Sequence, residues 1–201
     1  PQAELVDAEP AMRAARRVKT SEEIAALRRA LTVAEEALAK GAAELTPGTT
    51  EQHLAGVILE AEAAGGVSTP ATQDAAWVTS KDHPWRRERG DGTVRAGDLV
   101  ALSAGVLADG YVAEVARTFY IGEPTDAVRS LYRRRDHLWD RLIDACRPGN
   151  PASALLDAYA QAGEPLPAMP VAHGLGLGFD PPVVSPALRA TAERDVLADG
   201  N

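Results

Sequence analysis

Only one cysteine, Cys146, is present, which excludes an intrachain disulfide and makes the reducing cytoplasm the default compartment. Flanked by Leu142, Ile143 and Ala145, it reads as a core-filling thiol. Positive charge is scarce: 21 Lys and Arg stand against 29 Asp and Glu, a net charge of −8. No basic field would attract phosphate, so a nucleic-acid partner is excluded. The densest basic stretches, Arg86-Arg87 and Arg133-Arg134-Arg135, are too short to reverse this, and the latter reads as a solvated helix face. Apolar runs long enough to span a membrane are lacking, and the opening PQAELVDAEP has neither the basic nor the apolar region of a signal peptide. Aromatics make up only 4% of the chain, so alanine, leucine and valine must fill its core.

What remains is an ordinary globular composition, 45% apolar and 25% charged, in 201 residues. That length suits one generous domain or two small ones. The chain starts without Met and ends abruptly at DVLADGN, so both ends read as cut. Residues 21–44 predict a helix opened by a Thr20/Glu23 capping box, with Ile24, Leu27, Leu31, Ala34 and Leu38 on its buried face. Leu45-Thr46-Pro47-Gly48 stops it, and Thr49 with Gln52 predicts a second capping box and a helix to about Ala64. The pattern recurs: a helix over 126–145, a stop at Arg147-Pro148-Gly149, and a helix over 151–162. Pro47, Gly48 and Leu54 match Pro148, Gly149 and Leu155 at one offset of 101 residues, which suggests a duplicated half.

Strand-like sequence lies between and after these helix pairs. Residues 76–79 form a short candidate strand, and 98–103 with 111–121 flank Asp109-Gly110, a strong hairpin signal. Residues 169–173 and 179–184 read as strands around a glycine-rich bend. Paired helices with hairpin-linked strands predict an α+β fold with an antiparallel sheet.

Period-two alternation places Glu114 on one face with Val112, Ala116 and Thr118. Ser103, on the partner strand, falls across from it. The carboxylate is then a metal ligand, a salt-bridge partner or a solvent-facing group. Glycines alternate after His173 in HGLGLG, but Phe179-Asp180-Pro181-Pro182 follows instead of a helix, so this is no dinucleotide fingerprint. The glycines instead let the backbone bend and carry His173 toward other strands, or into the core. His83 lies beside Trp85 in the polar loop SKDHPWRRERGDG, where it is either a binding residue or a surface histidine. His53 and His137 fall within helices and read as structural, Asp98 reads as a turn former, and Arg117 as a sheet-face cation.

In order and spacing, these stretches resemble the pita-bread metallopeptidases of family M24: methionine aminopeptidases, prolidases and aminopeptidase P. The similarity runs from Val18 to the end. KTSEEIAALRRA resembles the opening of the catalytic domain in the aminopeptidase P and prolidase branch. Gly97-Asp98-Leu99-Val100, Gly105, Gly110-Tyr111, Arg117-Thr118-Phe119 and Gly122 match the central hairpin, and His173-Gly174-Leu175-Gly176-Leu177 the glycine-flanked histidine. The resemblance implies a linker remnant over 1–17 and a pita-bread domain over 18–201, built of two related halves and cut before its last strands.

The family's metal centre uses two hairpin aspartates, the glycine-flanked histidine and two later glutamates. Here the resemblance puts Ser103 and Glu114 at the aspartate positions and His173 at the histidine, with the glutamates beyond Asn201. The family's second, substrate-facing histidine corresponds to Asp180, and His83 takes the place of the histidine before the hairpin. A hydroxyl binds a divalent cation far more weakly than a carboxylate, so the resemblance implies one Mn, Zn or Co ion at most, or none. Three functions follow. One is a divergent Xaa-Pro aminopeptidase or dipeptidase with weakened or lost activity. Another is an inactive scaffold that binds a peptide or protein. The third is a metal-free, creatinase-like hydrolase with His83 as general base. A peptide or small-molecule substrate and a homodimer are implied by resemblance alone.

Overall fold

A computed structural model describes residues 5–67, 69–72, 74–80 and 86–201. In chain order the elements are α1 (Glu9–Arg17), α2 (Ser21–Ala43), α3 (Glu51–Ala64), β1 (Ala76–Val78), β2 (Leu99–Ala108) and β3 (Tyr111–Tyr120). They continue with α4 (Asp126–Ala145), α5 (Ala154–Ala162), β4 (Ala172–Gly174), β5 (Asp180–Val184) and α6 (Arg189–Arg194). The chain forms two compact units, Ala25–Leu131 and the remainder, Pro1–Ile24 with Tyr132–Asn201.

The predicted caps are largely in place. Thr20 and Glu23 form their capping box, with Thr20 N–H donating to Glu23 Oε2 at 2.8 Å and Glu23 N–H to Thr20 Oγ1 at 3.3 Å. The cap of α3 is Thr50, one residue later than expected: it accepts His53 N–H at 3.1 Å, while Thr49 donates to Glu44 O. Helix α5 starts at Ala154, three residues later than expected, and ends on Gly163 in the left-handed region, φ 71°.

The core of the Ala25–Leu131 unit packs α2 and α3 on one face of a three-stranded antiparallel sheet, order β1-β2-β3. The buried stripe of α2 is Ala26, Ala30, Ala34, Ala37, Leu38 and Gly41, with the expected Leu27 and Leu31 at its half-buried flank. Small residues win because α3 approaches closely: a Cβ on Gly41 would stand 2.6 Å from Ile58 Cγ1. From β2, Val100, Leu102, Ala104 and Val106 enter this core, where each fully buried large aliphatic contributes about 1.5–3 kcal/mol. The hairpin turns on Asp109 and Gly110, φ 53° and 84°, a two-residue loop of the primed type that Asp-Gly favours.

The other unit has a smaller core of Ala152, Leu155, Leu156, Val184, Ala192 and Leu197 beneath the two-stranded sheet β4-β5. Helix α4 carries no buried residue, and its triple arginine is exposed as expected. Cys146, expected in the core, is exposed: Leu142 and Ala145 take the places packed on that cluster, and the thiol follows on the solvent side.

Each unit builds the same corner, its Pro-Gly side recurring at the 101-residue offset read from the sequence and its partner segment at 103. Gly48 N–H donates to Val94 O and Gly149 N–H to Leu197 O, both at 2.9 Å, and both glycines have φ near +90°. Glu51 N–H donates to Gly92 O as Ala152 N–H does to Asp195 O, each at 2.8 Å. Thr50 bridges Thr93 as Pro151 bridges Val196, and Leu54 and Leu155 are buried beneath. The repeated backbone pattern supports duplication better than the thin residue identity did.

Candidate functional site

The hairpin register puts Val100, Leu102, Ala104 and Val106 on the core face, opposite Phe119, Arg117, Val115 and Ala113. The second face therefore carries Ala101, Ser103 and Gly105, opposite Thr118, Ala116 and Glu114. Ser103 and Glu114 share it as expected, but they are diagonal rather than opposite: Ser103 faces Ala116, and Glu114 faces Gly105. The Ser103 hydroxyl bridges the diagonal, donating to Glu114 Oε1 at 3.1 Å. Ser103 is 3% exposed, whereas Glu114 lies on the open side of β3. The glutamate thus needs no buried counter-ion, which resolves why a carboxylate sits in an apolar run.

Two features the sequence did not single out hold this face. The neighbouring segment bonds β2 at two points, Ala71 N–H donating to Gly105 O and Ser103 N–H to Ala75 O. The side chain of Glu62, from α3, accepts Gly105 N–H at 3.0 Å. Glu62 is 2% exposed, and burial pushes its carboxyl above the usual range, with the Gly105 hydrogen bond opposing. Gly105 also has no room for a side chain, because Thr72 Cγ2 stands 2.7 Å from where a Cβ would be. In the last turn of α3, in ILEAEAAGG, nothing distinguishes Glu62 from its exposed neighbour Glu60 except helical phase.

In the other unit, His173 and Asp180 lie at the two ends of a tight loop. Strand β4 meets β5 with His173 opposite Val183 and Gly174 opposite Asp180, a bulge falling between His173 and Gly174. The His173 ring stacks on Phe179, centroids 3.9 Å apart. Its Nδ1 lies 2.8 Å from Gly174 O; a carbonyl only accepts, so Nδ1 is the donor in this contact. Asp180 is 4% exposed and accepts Leu177 N–H at 2.9 Å through Oδ2. The Arg16 guanidinium lies 3.5 Å from its other oxygen.

His83 falls outside the described residues. Asp98 closes its turn by accepting Arg95 N–H at 2.8 Å, as expected. Arg117 is exposed and donates to Ala116 O. His53 and His137 are exposed on helices.

Among the described residues no group of three or more His, Cys, Asp and Glu side chains could hold a metal ion. On the hairpin the donor set is one carboxylate and one neutral hydroxyl, already hydrogen-bonded to each other. That set does not fit a two-metal centre, whose bridging demands carboxylates on both strands.

Comparison with known proteins identifies the class. The family model for metallopeptidase family M24 matches residues 25–201, and the chain belongs to that family. An Xaa-Pro dipeptidase of Pyrococcus furiosus is 27% identical over 141 residues, 69% of this chain and 40% of that protein. A probable dipeptidase PepE of Mycobacterium bovis is 34% identical over 159 residues, 76% of this chain and 42% of that one. The crystal structure of an X-Pro aminopeptidase from Thermotoga maritima superposes with a TM-score of 0.78 at 21% identity, covering 96% of this chain and 55% of its own. The fold is the pita-bread fold of prolidases and aminopeptidase P, and the chain spans about 40% of the length of the curated relatives named here. No helix among the described residues is long and apolar enough to cross a membrane.

Proposed function

We propose that this chain belongs to a divergent Xaa-Pro aminopeptidase- or dipeptidase-like hydrolase whose peptidase activity is weakened or lost. The observation that carries this reading is the Ser103–Glu114 hydrogen bond, with a hydroxyl at a position where the family resemblance calls for an aspartate. The family resemblance puts Glu114 and His173 at ligand positions, and a divalent ion is part of this proposal. Such an ion, when bound, polarises a carbonyl and lowers the pKa of a bound water. Without a second bridging carboxylate the gain is small, and the substrate is a peptide by kinship with dipeptidases. A homodimer and a cytoplasmic location are part of the same proposal, the latter on the lone thiol.

The same hydrogen bond favours a second reading, an inactive scaffold that binds a peptide or protein partner, because it satisfies the carboxylate without a cation. Metal analysis of the full-length protein beside hydrolysis of an Xaa-Pro dipeptide with added Mn²⁺ separates the two. Substoichiometric metal with slow turnover supports the divergent enzyme, and neither metal nor turnover supports the scaffold. Two tightly bound ions with rapid turnover would overturn both.

A further inference from the structure

The loop from His173 to Asp180 closes around one carboxylate. Asp180 N–H donates to Gly178 O at 3.0 Å, and Asp180 Oδ2 accepts Leu177 N–H from inside the loop. The alternating glycines follow from this. A Cβ on Gly174 would lie 2.4 Å from Pro181 O, and one on Gly176 would lie 2.1 Å from Asp180 Oδ2 and 3.3 Å from Lys19 Cε. At φ 153°, Gly176 is also in a region that side chains avoid. Glycine is thus required at 176 because the Asp180 carboxylate fills the space of a side chain, and at 174 because the backbone of Asp180 and Pro181 does.

Asp180 faces outward as well as inward. Arg16 Nε lies 3.5 Å from Oδ1, an ion pair that falls short of hydrogen-bond geometry, and this buried nitrogen has no other hydrogen-bond partner among the described residues. Lys19, 7% exposed, donates to Arg17 O at 3.1 Å and lies in the field of Asp180 and Glu23. Burial pulls its pKa below the usual lysine range while those carboxylates oppose the shift. The same segment is fastened elsewhere in its unit. Arg17 pairs with Asp195 at 2.9 Å and donates to Val196 O at 2.7 Å, and Lys19 N–H donates to Gly200 O at 2.9 Å. Helix α1 has no buried residue of its own, so polar fastenings of this kind are what hold it.

We propose that Asp180 is a positioning residue for His173, and that Arg16 and Lys19 make α1 a strap that holds the histidine loop in its stacked conformation. The carboxylate does two things at once. One oxygen shapes the loop that seats His173 against Phe179, and the other faces Arg16 of the strap. Displacing the strap would loosen the loop where it enters β5, at Asp180. The consequence for a site containing His173 rests on the function proposed above; the coupling itself does not.

The test reads the histidine directly in the full chain. Phe179→Ala gives the imidazole proton resonances of an unstacked His173, by removal of the ring current. Arg16→Gln removes the cation that faces Asp180 Oδ1, from a helix with no buried residue. Asp180→Asn keeps an acceptor for Leu177 N–H but loses the attraction to both cations. Both variants should move the His173 resonances toward the Phe179→Ala positions. Amide exchange over residues 9–17 should accelerate by about tenfold, the factor that about 1.4 kcal/mol of lost coupling produces. Ordinary loss of stability would lower the melting temperature and leave the imidazole positions of the folded protein unchanged. Should Asp180→Asn fail to fold, Arg16→Gln decides the matter alone. His173 resonances at wild-type positions in Arg16→Gln overturn the strap, whatever Asp180→Asn does. Because neither readout involves metal or turnover, failure here is distinct from failure of the proposed activity.

Discussion

Ser103 and Glu114 are diagonal neighbours on the hairpin, joined by a hydroxyl-to-carboxylate hydrogen bond of 3.1 Å. The glutamate end is open to water, so Ser103→Ala should cost no more than about 1 kcal/mol in urea unfolding, the usual net value of such a bond. Ser103→Asp should behave differently. It sets a second carboxylate beside the first, which repels without a cation and attracts one when it is present. We expect Ser103→Asp to melt below wild type in chelator and to gain more from added Mn²⁺. A ligand at about 100 times its Kd adds about 2.7 kcal/mol. Equal Mn²⁺ responses in wild type and variant would show that the hydroxyl is not what limits the site.

Glu62 makes stability depend on pH in a defined direction. Burial raises its folded pKa above that of the unfolded chain, near 4.3. The protonated form is therefore favoured by folding. Its contribution is complete below the unfolded pKa and is lost as pH rises through the folded value. Glu62→Gln keeps an oxygen for Gly105 N–H and carries no charge to desolvate. The variant should gain on wild type as pH rises from about 4 to neutrality, measured by urea unfolding at each pH, and the gap should close in acid. A pH-independent difference would mean that Glu62 does not titrate in this range.

Much of this could be read beforehand, and the boundary is physical. The Asp-Gly pair fixes a two-residue turn, which in turn fixes the register that brings Ser103 near Glu114. The Thr20/Glu23 box and the helix over 126–145 follow from local hydrogen bonds and periodicity. Glu62 and the alanines of α2 other than Ala34 were not legible, because which helix face is buried depends on how closely α3 approaches. Nor was the exposure of Cys146, which depends on which α4 residues reach the core beside α5. Arg16 and Lys19 are far along the chain from Asp180, and no local pattern links them. The resemblance supplied the family, but the diagonal geometry of Ser103 and Glu114 and the partners of Asp180 came only from the fold.

Gly105 and Thr72 make a directed pair. A Cβ at 105 would meet Thr72 Cγ2 at 2.7 Å and Thr72 N at 3.4 Å, so Gly105→Ala should cost about 1–3 kcal/mol through overpacking. Serine lacks that methyl. Thr72→Ser combined with Gly105→Ala should therefore recover most of the loss, a coupling of about 1 kcal/mol or more in a double-mutant cycle. Additive effects would place the strain elsewhere, in the backbone of β2.

Glu51 is the carboxylate whose removal should hurt most. It is 5% exposed in the first turn of α3, accepts Val78 N–H at 2.7 Å through Oε1, and pairs with Arg87 Nη1 at 3.0 Å through Oε2. Position favours it too, because a negative charge at a helix N-terminus is stabilised by the free amides there. Glu51→Ala leaves a buried strand N–H without its acceptor and Arg87 without one of its two anions, and should cost about 3 kcal/mol. Arg87 keeps Asp74, at 2.9 Å on its other nitrogen, which limits the damage to the cation. Glu51→Gln retains the acceptor for Val78 and loses the ion pair, so its cost should fall to about half. Asp74 is exposed, and Asp74→Ala should cost well under 1 kcal/mol in the wild-type background. In the Glu51→Ala background it should cost more, since Asp74 is then the remaining anion on Arg87. Urea unfolding of the four proteins measures this coupling, and a Glu51→Ala loss below about 1 kcal/mol would refute the account.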